Sequence, residues 1–127
     1  MFLSIRLYAC DGGVDRMKAK EIIDRCAQLE VYQRRRITDE YAELVFYNKD
    51  LAQWDTIMTD ILGPTVCPAG TEPTPEDTQL TSDYGGITSQ QTLYRKDFHD
   101  HRVIVMLWPW NDQAHTTLKI IVLKKQA

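Results

Sequence analysis

The chain has 127 residues, of which 43% are apolar and 26% charged, and it carries a formal net charge of −3. That length suits one domain over residues 1–127 with a single core, and the composition excludes coiled coil and disorder. A mildly acidic balance, 15 basic against 18 acidic residues, is a poor footprint for nucleic acid or an anionic membrane surface, so neither is expected as a partner.

Taken in order, Phe2 to Ala9 alternates, with Leu3, Ile5, Leu7 and Ala9 on one face, and reads as a strand. Asp11-Gly12-Gly13 breaks it. From Val14 to Glu30 the period becomes helical, with Ala19, Ile22, Ile23, Cys26 and Leu29 in one stripe. Val31 to Ile37 and Tyr41 to Tyr47 read as two strands of an antiparallel hairpin turning at Thr38-Asp39-Glu40. Leu51, Trp54, Met58 and Ile61 fall at helical spacing, and Gly63-Pro64 stops that helix.

Residues 63–90 differ from the rest: they hold Pro64, Pro68, Pro73 and Pro75, and four acidic residues with no Lys or Arg. They read as a long irregular connection, with one helical turn opened by Thr74 as cap and Pro75 in first position. Three strands follow: Thr92 to Phe98, Arg102 to Trp108 and Thr117 to Lys124. The middle one is apolar on both faces and so belongs in the interior of a sheet. The expected fold class is α+β. Its element order resembles a ferredoxin-like split β-α-β sandwich, with a mostly antiparallel sheet, two helices on one face, extra C-terminal strands and the Pro/Gly-rich loop.

Three cysteines without C-x-x-C spacing, Cys10, Cys26 and Cys67, read as reduced thiols of a cytoplasmic protein. The N-terminus interrupts its apolar run at Arg6 and does not read as a signal peptide. The longest uncharged apolar run, Val103 to Trp110, is eight residues, and a helical membrane span needs about 20.

Several groupings bear chemistry. Cys10-Asp-Gly-Gly-Val-Asp-Arg16 follows a strand and opens a helix. It resembles the phosphate-binding loop of cysteine-dependent phosphatases, which implies Cys10 as nucleophile and Arg16 as phosphate clamp. Asp11 and Asp15 depart from that pattern by placing carboxylates against a phosphate, and Met17 stands where the family has Ser or Thr. Asp97, His99 and His101 would share one face of an extended strand and form a divalent-metal set that His115 or Asp112 could complete. If His99-Asp100 is a hairpin turn, the three diverge. Trp108-Pro109-Trp110 ends the most apolar strand and offers an aromatic rim. Arg34-Arg35-Arg36 beside Tyr32 reads as a phosphate- or RNA-binding strand or as a solvated, edge-protecting one: alternation sends Arg34 and Arg36 to one face and Arg35 to the other, and Glu40 and Glu43 can neutralise them. Asp83-Tyr84-Gly85-Gly86 reads as a turn or as a segment gating a pocket.

No catalytic set outweighs these. The expected function is therefore a non-enzymatic binding or accessory domain for a small ligand or protein partner, with Tyr84, Trp108 and Trp110 as contact residues. No cofactor is expected, and a homodimer is compatible with an open sheet edge. A Cys10–Arg16 thiol enzyme and an Asp97–His99–His101 metal protein are the alternatives.

Overall fold

A computed structural model describes residues 18–124. In chain order the elements are α1 (Ala19–Arg25), β1 (Val31–Ile37), β2 (Tyr41–Tyr47), α2 (Leu51–Leu62), α3 (Pro75–Thr81), β3 (Thr92–Asp97), β4 (His101–Pro109) and β5 (His115–Lys124). The fold is α+β. Among the described residues five strands form one sheet in the order β1-β2-β5-β4-β3, each pairing antiparallel with its neighbours. The expected strand over Phe2 to Ala9 and the start of the first helix lie outside the described residues.

The hairpin β1–β2 has the bounds its alternation predicts. Both sides of β2 are occupied, by β1 and β5.

One face of the sheet carries the main core. Ala42, Leu44 and Phe46 of β2, Tyr94 of β3, Val103, Val105 and Leu107 of β4, and Leu118 and Ile120 of β5 pack with Ala19, Ile22 and Ile23 of α1 and Trp54, Met58, Ile61 and Leu62 of α2. Both helices therefore cover the same face. The Phe46 and Trp54 rings stack at 4.7 Å. The helical stripes explain the packing: the buried positions of α2 recur at three- and four-residue steps.

The second face has its own cluster, Leu93, Ile104, Met106 and Ile121 from the sheet with Cys67 and Ile87 from the intervening segment. Residues 63–90 are thus a covering layer, with more regular structure than the single helical turn expected. Thr74 Oγ1 accepts from the Asp77 amide at 3.1 Å, and Asp77 Oδ2 accepts from the Thr74 amide at 3.4 Å. This capping box, with Pro75 in the first turn, starts a seven-residue helix. The layer's lack of basic residues is met from the sheet: Arg95 of β3 lies 3.5 Å from Asp77 and 3.8 Å from Glu76. Cys67 forms an isolated bridge to Leu93 and so covers part of the outer edge of β3. Strand β4, with buried residues on both faces, is interior as its composition requires. No helix among the described residues is long and apolar enough to cross a membrane.

Candidate aromatic face of the sheet

The second face is covered unevenly. Over β3, β4 and β5 it meets the 63–90 layer. Over β1, β2 and the start of β5 it carries rings and charges from the sheet and the β4–β5 turn. At its centre Tyr32 lies 4.2 Å from His115, 5.7 Å from Tyr47 and 6.1 Å from Trp110, measured between ring centroids. Tyr47 and Trp110 also contact His115, at 5.5 and 5.1 Å. Tyr32 is the outermost ring, at 50% exposure.

Two irregularities in β1 set which of its side chains join this face. The pairing with β2 shifts register between Val31 and Gln33 and again between Arg34 and Arg36. Tyr32 follows the core-facing Val31 and lies on the second face beside Tyr47, which belongs there by its register with His115, and the first shift brings Gln33 to the same side, opposite Val45. The second breaks the alternation expected for the arginines. Arg34 pairs with Leu44, whose side chain is in the helix-side core, while Arg36 pairs with Glu43. Arg35 also donates to Glu43, at 3.0 Å. Arg35 and Arg36 therefore share a side that strict period-two alternation denies them.

The β4–β5 turn fixes Trp110. Its indole Nε1 donates to Thr117 Oγ1 at 2.8 Å, which directs the ring back along the sheet. The cross-strand partner of Thr117, Val45, is fully buried. Asp112 shapes the turn: Oδ1 accepts from the Ala114 amide at 2.8 Å and the His115 amide at 3.1 Å, and Oδ2 meets His115 Nδ1 at 2.5 Å. The Ala114 amide and then the His115 ring hold the Asp112 carboxyl below its usual range.

Cations sit over the rings. Arg35 lies 5.8 Å from the Trp110 ring, Arg36 5.9 Å from Tyr41 and Lys49 5.6 Å from Tyr47. Glu43 is the central anion, bound by the Tyr41 hydroxyl at 2.6 Å and by Arg35. Burial works against its ionised form, but the bonds from Tyr41 and Arg35 prevail and hold its carboxyl below the usual value. Burial, with Glu43 second, pushes the Tyr41 hydroxyl up.

Trp108, the other tryptophan of the expected rim, points to the same face but lies at the boundary of the covering layer. Lys119 Nζ stands 3.7 Å from its ring and donates to the Tyr84 carbonyl at 3.2 Å. Burial lowers the Lys119 pKa against the opposing pull of Glu43. Gly85, in the left-handed region at φ +103, lies directly against the Trp108 indole. Tyr84 packs with the apolar cluster under that layer. The three expected contact residues thus share one face, with Trp108 and Tyr84 at its closed half and Trp110 at its open half. In the sequence Tyr32 stands out only as the neighbour of the arginines and His115 only as a possible metal ligand, while Tyr47 shows nothing beyond strand alternation, so none of the three announces itself as part of an aromatic cluster.

The metal alternative is not assembled. Strand β3 ends at Asp97 and β4 begins at His101, so His99-Asp100 is the hairpin turn, as the chain reverses there. Asp97 meets Arg102 Nε at 2.5 Å, His99 is exposed, and His101 is buried with its ring stacked on Phe98 and Nδ1 2.8 Å from Asp100. Among the described residues no group of three His, Cys, Asp or Glu side chains could hold a metal ion. Cys10 and Arg16, the basis of the thiol alternative, lie outside the described residues. Cys26 and Cys67 are free and buried; burial pushes the Cys26 thiol up to about 12 and raises that of Cys67.

A separate cleft of about 440 Å³ lies between α2 and β3, lined by Leu51, Ala52, Asp55, Thr65, Pro68, Thr92, Tyr94 and Leu107. The Tyr94 hydroxyl donates to Asp55 in it, and burial followed by that carboxylate raises the phenol pKa. This pair satisfies a deeply buried hydroxyl from the helix above it.

No family model, no curated protein and no solved structure matches this chain.

Proposed function

We propose that this chain is a small non-enzymatic binding or accessory domain whose ligand or protein partner docks on the open half of the second sheet face. The observation that carries the reading is Tyr32: a half-exposed ring at the centre of a four-ring cluster, on a face whose other half the chain covers itself. Exposed aromatic clusters beside charged groups are suited to recognition, since rings supply contact area at little rotamer cost. The buried thiols Cys26 and Cys67, held protonated, fit a reducing compartment, and the cytoplasm is the proposed location. A second copy of the chain is one partner the face can accept. The proposed topology is a relative of the ferredoxin-like sandwich in which β5 takes the place beside β2.

Thermal melting against a metabolite panel, together with a search for a co-purifying partner, tests the reading. A ligand or partner should raise the melting temperature, and Tyr32→Ala should remove that rise while leaving the melting of the free chain nearly unchanged. Absence of any stabilisation and of any partner refutes the reading, as does a rise that survives Tyr32→Ala.

A further inference from the structure

We propose that the occupant of this face is single-stranded RNA, an inference that rests on the binding reading above and narrows it. Three observations converge. The first is shape. Tyr32 lies on β1, the edge of the sheet among the described residues, and Trp110 and His115 on the far side of β2, so the rings spread across strands as a surface. An open face gives a lone planar ligand one side of contact, whereas a strand of bases gathers several stacking contacts in a row.

The second is the pairing of rings with cations. Trp110 has Arg35, Tyr41 has Arg36 and Tyr47 has Lys49, each within 6 Å. Rings for bases beside guanidinium and ammonium groups for phosphates match the alternation of a nucleotide chain. Arg36 has no ion pair among the described residues, so its charge is available to a phosphate, whereas Arg35 would exchange Glu43, and Lys49 would exchange Glu30 and Asp50, for one. Gln33 and Glu43 stand beside the arginines as acceptors for a 2′-hydroxyl, a group that DNA lacks.

The third concerns net charge, which at −3 argues against nucleic acid for the chain as a whole. All of the acidic excess lies in residues 63–90, which have four acidic and no basic residues; the remainder has 15 basic against 14 acidic. That segment covers the other half of the face. The global sum therefore says little of the charges beside the rings, where Arg35, Arg36 and Lys49 stand among Glu43, Glu30, Asp50 and Asp112.

The test is fluorescence anisotropy of the full chain with a labelled oligouridylate of about ten nucleotides at about 50 mM salt. Saturable binding is expected, weakened about tenfold by Tyr32→Ala and restored by Tyr32→Phe. With three cations engaged, log Kd should rise against log salt with a slope of about 2, falling to about 0.7 when Arg35→Gln and Arg36→Gln are combined. Oligothymidylate should bind more weakly. Circular dichroism melting of each variant separates lost binding from lost folding. No saturable binding by a natively melting chain overturns the inference, while a Tyr32-dependent melting shift with another ligand would leave the broader binding reading standing. Binding indifferent to Tyr32 and to both arginines overturns the placement, and equal affinity for oligothymidylate overturns the choice of RNA.

Discussion

Gly85→Ala measures how firmly the 63–90 layer is locked to the sheet. A Cβ at Gly85 would lie 2.2 Å from Trp108 Cη2 and 2.8 Å from Cζ2, at a backbone φ of +103. The left-handed conformation alone costs an L-residue about 1–2 kcal/mol. Moving the indole away from an added methyl in a packed site costs about 1–3 kcal/mol more. The same displacement disturbs Lys119, which spans the Trp108 ring and the Tyr84 carbonyl. The expected loss is about 2–5 kcal/mol in urea denaturation. Gly86 supplies the control: its φ is +78, but a Cβ there meets nothing within 4 Å, so Gly86→Ala should show the backbone cost alone. In a Trp108→Ala background the excess cost of Gly85→Ala over Gly86→Ala should vanish, because the obstructing ring is gone. Equal losses for Gly85→Ala and Gly86→Ala in the parent chain would refute the claim that Trp108 is held against this turn.

Thr74→Ala removes the capping box of α3 and should lower stability by about 1 kcal/mol, with early amide exchange confined to the 63–90 layer as the local signature. Tyr94→Phe deletes the bond to Asp55 and should cost about 1 kcal/mol, less than Asp55→Ala, which strands a buried hydroxyl; the reverse order in denaturant titration would contradict that assignment. Glu43 has a depressed folded-state pKa, below the reference value of 4.5. Its contribution is present above that unfolded value and lost as pH falls through the lower folded one. Glu43→Gln should therefore flatten the acid side of the stability profile, and an unchanged slope below about pH 4.5 would show that the Tyr41 and Arg35 bonds do not favour the ionised form.

The hairpin of β1 and β2, the buried stripe of α2 and the interior position of β4 were legible because each depends on a period that burial imposes. The register of β1 was not. Its residues are mostly exposed, so no core constraint marks where an extra residue enters the ladder, and two bulges turn Gln33 and re-sort Arg34 and Arg35. Residues 63–90 read as irregular because Pro and Gly mask a short helix whose only signal is its cap, Thr74-Pro75-x-Asp77. The Trp108-Pro109-Trp110 segment reads from sequence either as one ring in the core and one exposed or as two rings covering the open end of the sheet. What it could not reveal is that a distant Gly85 closes over one ring while Arg35 stands over the other. The Asp97–His99–His101 set failed for a local reason: the turn interrupts the extended geometry that would bring the three together.

The division of the second face follows from reach. Five strands about 4.8 Å apart place the outer two about 19 Å from one another. A seven-residue helix extends only about 10 Å, and its segment is tied to the β3 side through Cys67 and Arg95. Among the described residues the β1–β2 side is finished by its own side chains. The chain does so with Tyr32, Tyr41, Tyr47, Trp110 and His115, residues that shield apolar neighbours such as Val45 while keeping a polar atom for water or a ligand. A surface built only for solvation would not need this much aromatic area. A surface built to be buried permanently against a partner would not spend Glu43 on holding Arg35 in place, since a paired charge is costly to desolvate. The combination of stackable rings with anchored charges fits an occupant that is itself planar, charged and exchangeable.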